Sequence, residues 1–391
     1  MIQSVTMYTY ETDDPEIAVE EIAEQLSKIT LLKNSAGILM CDTEYVDSGV
    51  YTAVATALPF PIAGTTTMTQ AVNGEAGMMM LTIMVLTSDD VNFEVGVTKP
   101  ISETEDITEP VKDALTASLA KLPDVPKLIL AFPPLFADIA GDQYIEVFNE
   151  LCPGTPVFGS IAIDDSITFE KCSTFYNGEH SLTEMSYILL SGNVSPRFLI
   201  ATVSDKNKLP YTGEITKSTG HIVEEINHMS AREYMESIDF AQDGKLDEGL
   251  QFVPFLLDFK NRADYDEVPV IRAMLALDEE GRGICRGYMD QGAVFTLISA
   301  SSMDVIGTSL ELMDKIVQIP DKQAVLVFSC MVRRMSFGVK PLTEATMVAE
   351  KLSDKSPFML AYSGGELCPT SSDKTHLANR FHNYSIIACI L

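Results

Sequence analysis

One pattern, strand then helix then strand then a turn of small residues, occurs three times along the chain and limits the fold more than any other feature. In the first copy, residues 36–41 are an apolar run read as a buried strand, and residues 50–58 carry a weaker helical pattern that stops before Pro59. Pro61, Ile62, Ala63 and Gly64 then give a short strand leading into a polar turn at Thr65 to Thr67. The second copy reads as strand at 126–132, helix at 142–151 and strand at 156–159, running into Ser160, Ile161 and the acidic pair Asp164 and Asp165. The third reads as strand at 324–330, helix at 343–352 and strand at 357–362, reaching Ser363, Gly364 and Gly365. A crossover helix lets two strands lie parallel, so the recurrence predicts an α/β fold, with α+β as the alternative, in which repeated β-α-β units form mixed sheets covered by helices. The copies differ too much, and are spaced too unevenly, for a solenoid.

Other segments fit around these copies. Asp14 followed by Pro15 opens a helix, because a carboxylate caps free amides and proline suits the first helical position. Ala18, Ile22, Leu26 and Ile29 then form its apolar stripe. Residues 4–10 are a short extended candidate, and 78–86 read as a central strand. The middle of the chain differs: 198–203, 221–226, 270–276 and 293–298 read as strands, 231–235 and 302–316 as helices, and 243–249 and 261–266 as polar loops that could flank a pocket. A length of 391 residues exceeds what one core usually serves. Two domains are expected, changing between residues 191 and 220.

Charge narrows the partners. Lys and Arg total 27 against 56 Asp and Glu, a formal charge of −29, so the surface field repels polyanions. Nucleic acid and anionic membrane surfaces, which bind through concentrated basic surface, are excluded as expectations. The opening residues lack the basic-then-apolar pattern of a secretory leader, and the apolar run 78–86 is far short of the roughly 20 residues of a membrane-spanning helix. No membrane insertion and a cytoplasmic location are expected. The seven cysteines (41, 152, 172, 285, 330, 368 and 389) contain no CxxC pair, which fits reduced thiols. His376 and His382 are the close histidine pair, but nothing forms a zinc-like array, and neither metal nor cofactor is expected.

The carboxy-terminal half carries a resemblance. The residues 216–220, Ile222 to Ile226 and Ala231-Arg232-Glu233-Tyr234, followed by 253–255, Arg272 and 281–292, are similar to the entry of the FIST C-terminal domain. The most specific stretches are 325–334, a strand ending in Ser329-Cys330 with Arg333 and Arg334 close behind, Gly365-Glu366-Leu367-Cys368-Pro369, and Phe381-His382-Asn383. Pro61 to Thr66 and Pro156 to Asp165 resemble the matching turns of the FIST N-terminal domain, although Thr65 to Thr69 lack a further glycine expected there. The resemblance implies a FIST N-terminal-like domain at 1–205 and a FIST C-terminal-like domain at 206–391. It further implies a sensory protein of signal transduction that binds a small ligand, such as an amino acid, and acts through a downstream signalling protein. A sensory module without an output segment of its own, such as a kinase, cyclase, chemoreceptor or F-box, is expected.

The residues themselves offer a site. A strand ending at Cys330 presents its carboxyl end to a crevice, as in many open α/β sheets. Arg333 and Arg334 supply planar forks for a carboxylate, and the turn Ser363, Gly364, Gly365 would admit a compact ligand near backbone amides. Glu366 could accept a ligand ammonium or pair with either arginine, while His382 and Asn383 could orient a ligand or hold a turn. Together these indicate an amino acid or small carboxylate. The plainer account is that Cys330 is a small buried hydrophobe, the arginines satisfy nearby acids, and the glycines only turn the chain.

Two other classes compete. A cysteine enzyme would use Cys330 as thiolate, lowered by the adjacent arginines, with His382 as base and Asn383 as orienter. No nucleophile elbow, Walker loop or metal array accompanies them, and Asp164 and Asp165 would point to opposite faces of a strand, so the balance is against an enzyme. A protein interaction module would use the helix 302–316, with Met303, Ile306 and Leu310 among its apolar residues; covering the sheet is the simpler role.

Overall fold

The computed structural model describes residues 2–101, 107–166, 168–202, 205–247, 253–258, 270–299, 301–370 and 377–391. His376 and the loop 261–266 lie outside the described residues, as do the last two positions of the loop 243–249.

The chain builds three units of the same design. The first has β1 (Gln3–Thr9), α1 (Pro15–Leu26), β2 (Asn34–Cys41), α2 (Val50–Ala57), β3 (Ile62–Thr66) and β4 (Leu81–Ser88). The second has β5 (Val91–Val97), α3 (Thr108–Leu119), β6 (Leu128–Phe132), α4 (Gly141–Leu151), β7 (Val157–Ser160) and β8 (Ser186–Gly192). The third has β9 (Arg197–Ala201), α5 (Ser302–Gln318), β10 (Val325–Cys330), α6 (Thr343–Leu352), β11 (Phe358–Ser363) and β12 (Ile386–Ile390). In each sheet the four strands lie in the order first, fourth, second, third. The second and third strands pair parallel across the helix, and the other neighbours pair antiparallel. The α/β architecture with mixed sheets under helices therefore follows the pattern read from the recurrence.

Each unit gives a hairpin to its neighbour. The hairpin Gln70–Val72 and Glu75–Gly77 of the first unit pairs with β11 of the third. Thr174–Tyr176 and Glu179–Ser181 of the second pair with β3 of the first, and Glu366–Pro369 and Asn379–His382 of the third pair with β7 of the second. The exchange closes into a ring, and its hydrogen bonds repeat. Gly37, Ile129 and Val325 donate their N–H groups to the carbonyls of Pro61, Pro156 and Pro357 at 2.9, 2.9 and 3.0 Å. Thr66, Ile161 and Tyr362 donate to the carbonyls of Ser173, Gly365 and Thr69 at 2.8, 3.0 and 3.3 Å.

Period-2 alternation explains why the second strands are apolar throughout: both of their faces are covered. Ile38 and Met40, Leu130 and Phe132, and Leu326 and Phe328 point inward to one core shared by all three units. There Phe158 stacks on Phe328 with centroids 5.1 Å apart. Leu39, Ile129 and Val325 point outward, each under its own helix pair. The helix α5 buries Val305, Leu312, Met313 and Ile316 against its sheet and leaves Met303 exposed, so it serves as cover.

Between β9 and α5 the chain inserts a separate sheet with its own core. It includes Lys208–Thr219, Ile222–Ile226, Phe255–Asp258, Val270–Arg272, Met274–Leu277, Gly283–Cys285 and Val294–Ile298, with the helix Ala231–Ser237 packed on it. An ion pair clamps this sheet to the second unit. Arg272, almost fully buried, places Nη2 3.0 Å from Asp142 Oδ1 and donates through Nη1 to the Phe381 carbonyl, while the Tyr288 N–H donates to Asp142 Oδ2 at 2.8 Å.

Candidate functional site

The inserted sheet roofs a cavity of about 140 Å³ at the carboxyl ends of two parallel strand pairs, β6 with β7 and β10 with β11. Leu135 and Ile163, just beyond β6 and β7, form one wall. Cys330, Met331 and Met335 form the opposite wall, with Gly364 and Asn383 beside them. Ala273, Leu275 and Arg286 come from the roof. The lining is mainly apolar, and Arg286, Asn383 and Tyr384 bring polar side chains to it. Arg286 donates through Nη1 to the Phe136 carbonyl, and no described carboxylate forms an ion pair with it. Burial pushes its guanidinium pKa down, with Cys172 opposing. Asn383 is 4 % exposed; its Nδ2 donates to the His382 carbonyl at 3.1 Å, and its Oδ1 has no partner among the described residues.

Of the residues singled out from the sequence, Cys330, Gly364 and Asn383 line this cavity. Arg333 does not: it is completely enclosed, with Nη2 2.9 Å from Glu344 Oε1, and it also donates to Ser309 Oγ and to the Tyr384 and Val305 carbonyls. The second oxygen of Glu344 accepts from Ser329 Oγ and the Tyr362 hydroxyl, so this pair is satisfied from within the third unit. Arg334 turns toward the first unit, where Nε donates to Thr69 Oγ1 at 2.7 Å. Gly365 gives its carbonyl to the Ile161 N–H, and a side chain there would collide with Phe381. Glu366 is enclosed beside Cys330, with Oε2 accepting from Ser385 Oγ at 2.7 Å. His382 Nε2 lies 3.0 Å from the Cys368 carbonyl, and burial holds its imidazole neutral, down to about 3. Arg333, Arg334, Gly365, Glu366 and His382 thus surround the cavity region without lining the cavity.

The chemistry expected of a cysteine nucleophile is reversed here. Burial first, and then the Glu366 carboxylate, push the Cys330 thiol pKa up, and the opposing effect of Arg333 is weaker. The thiol is therefore protonated at neutral pH, so Cys330 lacks the activation that reading required. Among the described residues no group of three or more His, Cys, Asp or Glu could hold a metal ion. No described helix is long and apolar enough to cross a membrane.

Glu366 gives the site a measurable pH dependence. Burial raises its carboxyl to about 8 from an ordinary 4.5, against the lowering effects of Ser385, Arg333 and Cys330. The folded state therefore holds a proton that the unfolded chain releases. The stabilising contribution is full below about 4.5, declines as pH rises toward about 8, and levels off above that. Glu366→Gln keeps the neutral shape and is expected to remove this decline. Its stability advantage over the parent protein should grow by a few kcal/mol, at most about 4, between pH 5 and 8.5. Urea unfolding across that range checks the sign, and parallel pH profiles for the two proteins would contradict it.

Arg286 is the functional candidate that sequence reasoning missed. Its signal was modest: an apolar strand, Gly283–Cys285, ends in an arginine followed by Gly287, whose φ of 116° favours glycine. Fold and cavity together define an α/β protein of three cyclically linked units with a roofed pocket at their strand ends. The FIST N domain matches residues 35–229 and the FIST C domain matches residues 231–369, and the chain belongs to the FIST family. FIST domains are associated with small-ligand-binding signal transduction. No curated relative matches the chain. Among solved structures, a cyanuric acid hydrolase from A. caulinodans aligns with 100% of this chain and 99% of its own at 9% identity and a TM-score of 0.35.

Proposed function

We propose that the protein is a cytoplasmic sensory module that binds a small carboxylate or amino acid in the cavity under the inserted sheet and reports its occupancy to a downstream signalling protein. One observation supports this reading: an apolar cavity at strand ends that contains, among the described residues, a guanidinium without an acid and a buried amide oxygen without a donor. Such groups are costly to leave unmatched, and an anionic ligand would match them. The roof and the walls belong to different parts of the fold, so a ligand touching both favours their docked arrangement over any looser one. Seven free, buried cysteines fit a reducing compartment.

The test is a thermal-shift and calorimetric survey of amino acids and small carboxylates, run in parallel on Ala273→Leu, which fills the cavity from the roof. A ligand at about 100 times its Kd should add about 2.7 kcal/mol of stability to the parent protein. The filled variant is expected to lose that response while staying folded. A saturable response that survives Ala273→Leu, or no response from either protein, would contradict the cavity as the site.

A further inference from the structure

We propose that the ligand is a small hydroxy carboxylic acid with an apolar body, its carboxylate on Arg286 and its hydroxyl donating to Asn383 Oδ1; this rests on the cavity being the site. Charge selects the head group. Arg286 uses Nη1 on the Phe136 carbonyl, and the rest of its fork meets no described acid, so an anion supplies the missing partner.

The same reasoning argues against a zwitterion. No carboxylate lines the cavity, and Glu366 lies outside the lining, so a ligand ammonium would be enclosed without a counter-charge. Asn383 has room for a donor: one hydrogen of its amide nitrogen is used on the His382 carbonyl, and its Oδ1 meets no donor among the described residues. A hydroxyl on the acid meets that need.

Volume and lining set the body. A cavity of about 140 Å³ compares with the apolar cavity of about 150 Å³ known to admit benzene. Leu135, Ile163, Phe169 and Met331 present apolar surface to whatever occupies it. A branched or ring-bearing acid of about six carbons is the class that fits.

Calorimetry with four matched compounds tests this: 2-hydroxy-4-methylpentanoate, 4-methylpentanoate, leucine and 4-methylpentan-1-ol. The hydroxy acid is expected to bind at least about tenfold more tightly than each of the other three, the step expected of one buried charged or hydrogen-bonded contact. Arg286→Met should erase the preference for the acids over the alcohol, and Asn383→Leu the preference for the hydroxy acid over 4-methylpentanoate. Arg286→Lys, which keeps the charge and loses the fork, should give intermediate affinity, and it decides the matter should the methionine variant fail to fold. Leucine binding as tightly as the hydroxy acid, or unchanged affinity in folded Arg286→Lys and Arg286→Met, would overturn the ligand class and leave the cavity reading standing. Absence of saturable binding by all four compounds, combined with an Ala273→Leu protein that behaves like the parent in the wider survey, would overturn both.

Discussion

Arg333→Ala is expected to destabilise the protein by about 3 to 5 kcal/mol, the range found when one partner of an enclosed ion pair is removed. Arg333 and Glu344 both have fully enclosed side chains. Between them they tie α5, through Val305 and Ser309, to β10 at Ser329 and β11 at Tyr362. Removing the guanidinium leaves a carboxylate in the core with only hydroxyl partners. Glu344→Ala is expected to cost as much, because it strands the arginine. Replacing both at once with apolar residues of similar volume, Arg333→Met with Glu344→Leu, should restore much of the loss, since neither charge is then left alone. Urea unfolding of the three variants measures this. Single variants within about 1 kcal/mol of the parent would show that the pair is not the third unit's internal clamp. The sequence offered Arg333 either as a ligand fork or as the partner of a nearby acid; its enclosure against Glu344 assigns it to the frame.

Gly64→Val and Gly159→Val are expected to abolish folding of the units that contain them. A Cβ at Gly64 would lie 1.7 Å from the Leu39 carbonyl oxygen, and one at Gly159 would lie 2.0 Å from that of Ala131. In both cases the obstacle is the backbone of the parallel partner strand, which cannot turn aside as a side chain can. The first and second strand pairs would have to separate, and with them the shared core they both line. A loss beyond about 4 kcal/mol belongs to such a backbone clash. Gly307→Ala is the matched control: it sits in α5 with nothing within 4 Å of an added Cβ, and it should be neutral or stabilising by up to about 1 kcal/mol. Circular dichroism and soluble yield compare the three. Native-like unfolding of either valine variant would contradict the strand register.

The repeated units were legible because parallel strands covered on both faces are written as unbroken apolar runs, each second one introduced by a proline at 61, 156 or 357. The cyclic exchange of hairpins was not. Pairing Gln70 with Ala361, or Glu366 with Ser160, is settled by contacts hundreds of residues apart and leaves no local mark. The long strand Lys208–Thr219 was hidden for another reason. Only Gly213 and Ile215 in it are buried, so its Lys- and Thr-rich sequence lacks the apolar signal of a core strand.

The site divides in the same way. Cys330, Gly364 and Asn383 were found from short stretches, a strand end at Cys330, a small-residue turn at Gly364 and the family-like Phe381-His382-Asn383, which are local properties. Arg286 was missed because what distinguishes it is not local. Arg272 and Arg333 look equally promising in sequence, yet one meets Asp142 and the other Glu344, while Arg286 is delivered to a cavity wall without an acid. Which arginine is left over for a ligand is decided by the tertiary fold.

The most direct measurement is a crystal structure of the protein grown with 2-hydroxy-4-methylpentanoate. The acid should occupy the cavity between Met331 and the roof, with its carboxylate about 2.7 to 2.9 Å from the Arg286 guanidinium nitrogens and its hydroxyl toward Asn383 Oδ1. A cavity holding only water at saturating acid, or an acid bound elsewhere with Arg286 turned to a protein carboxylate, would contradict the account.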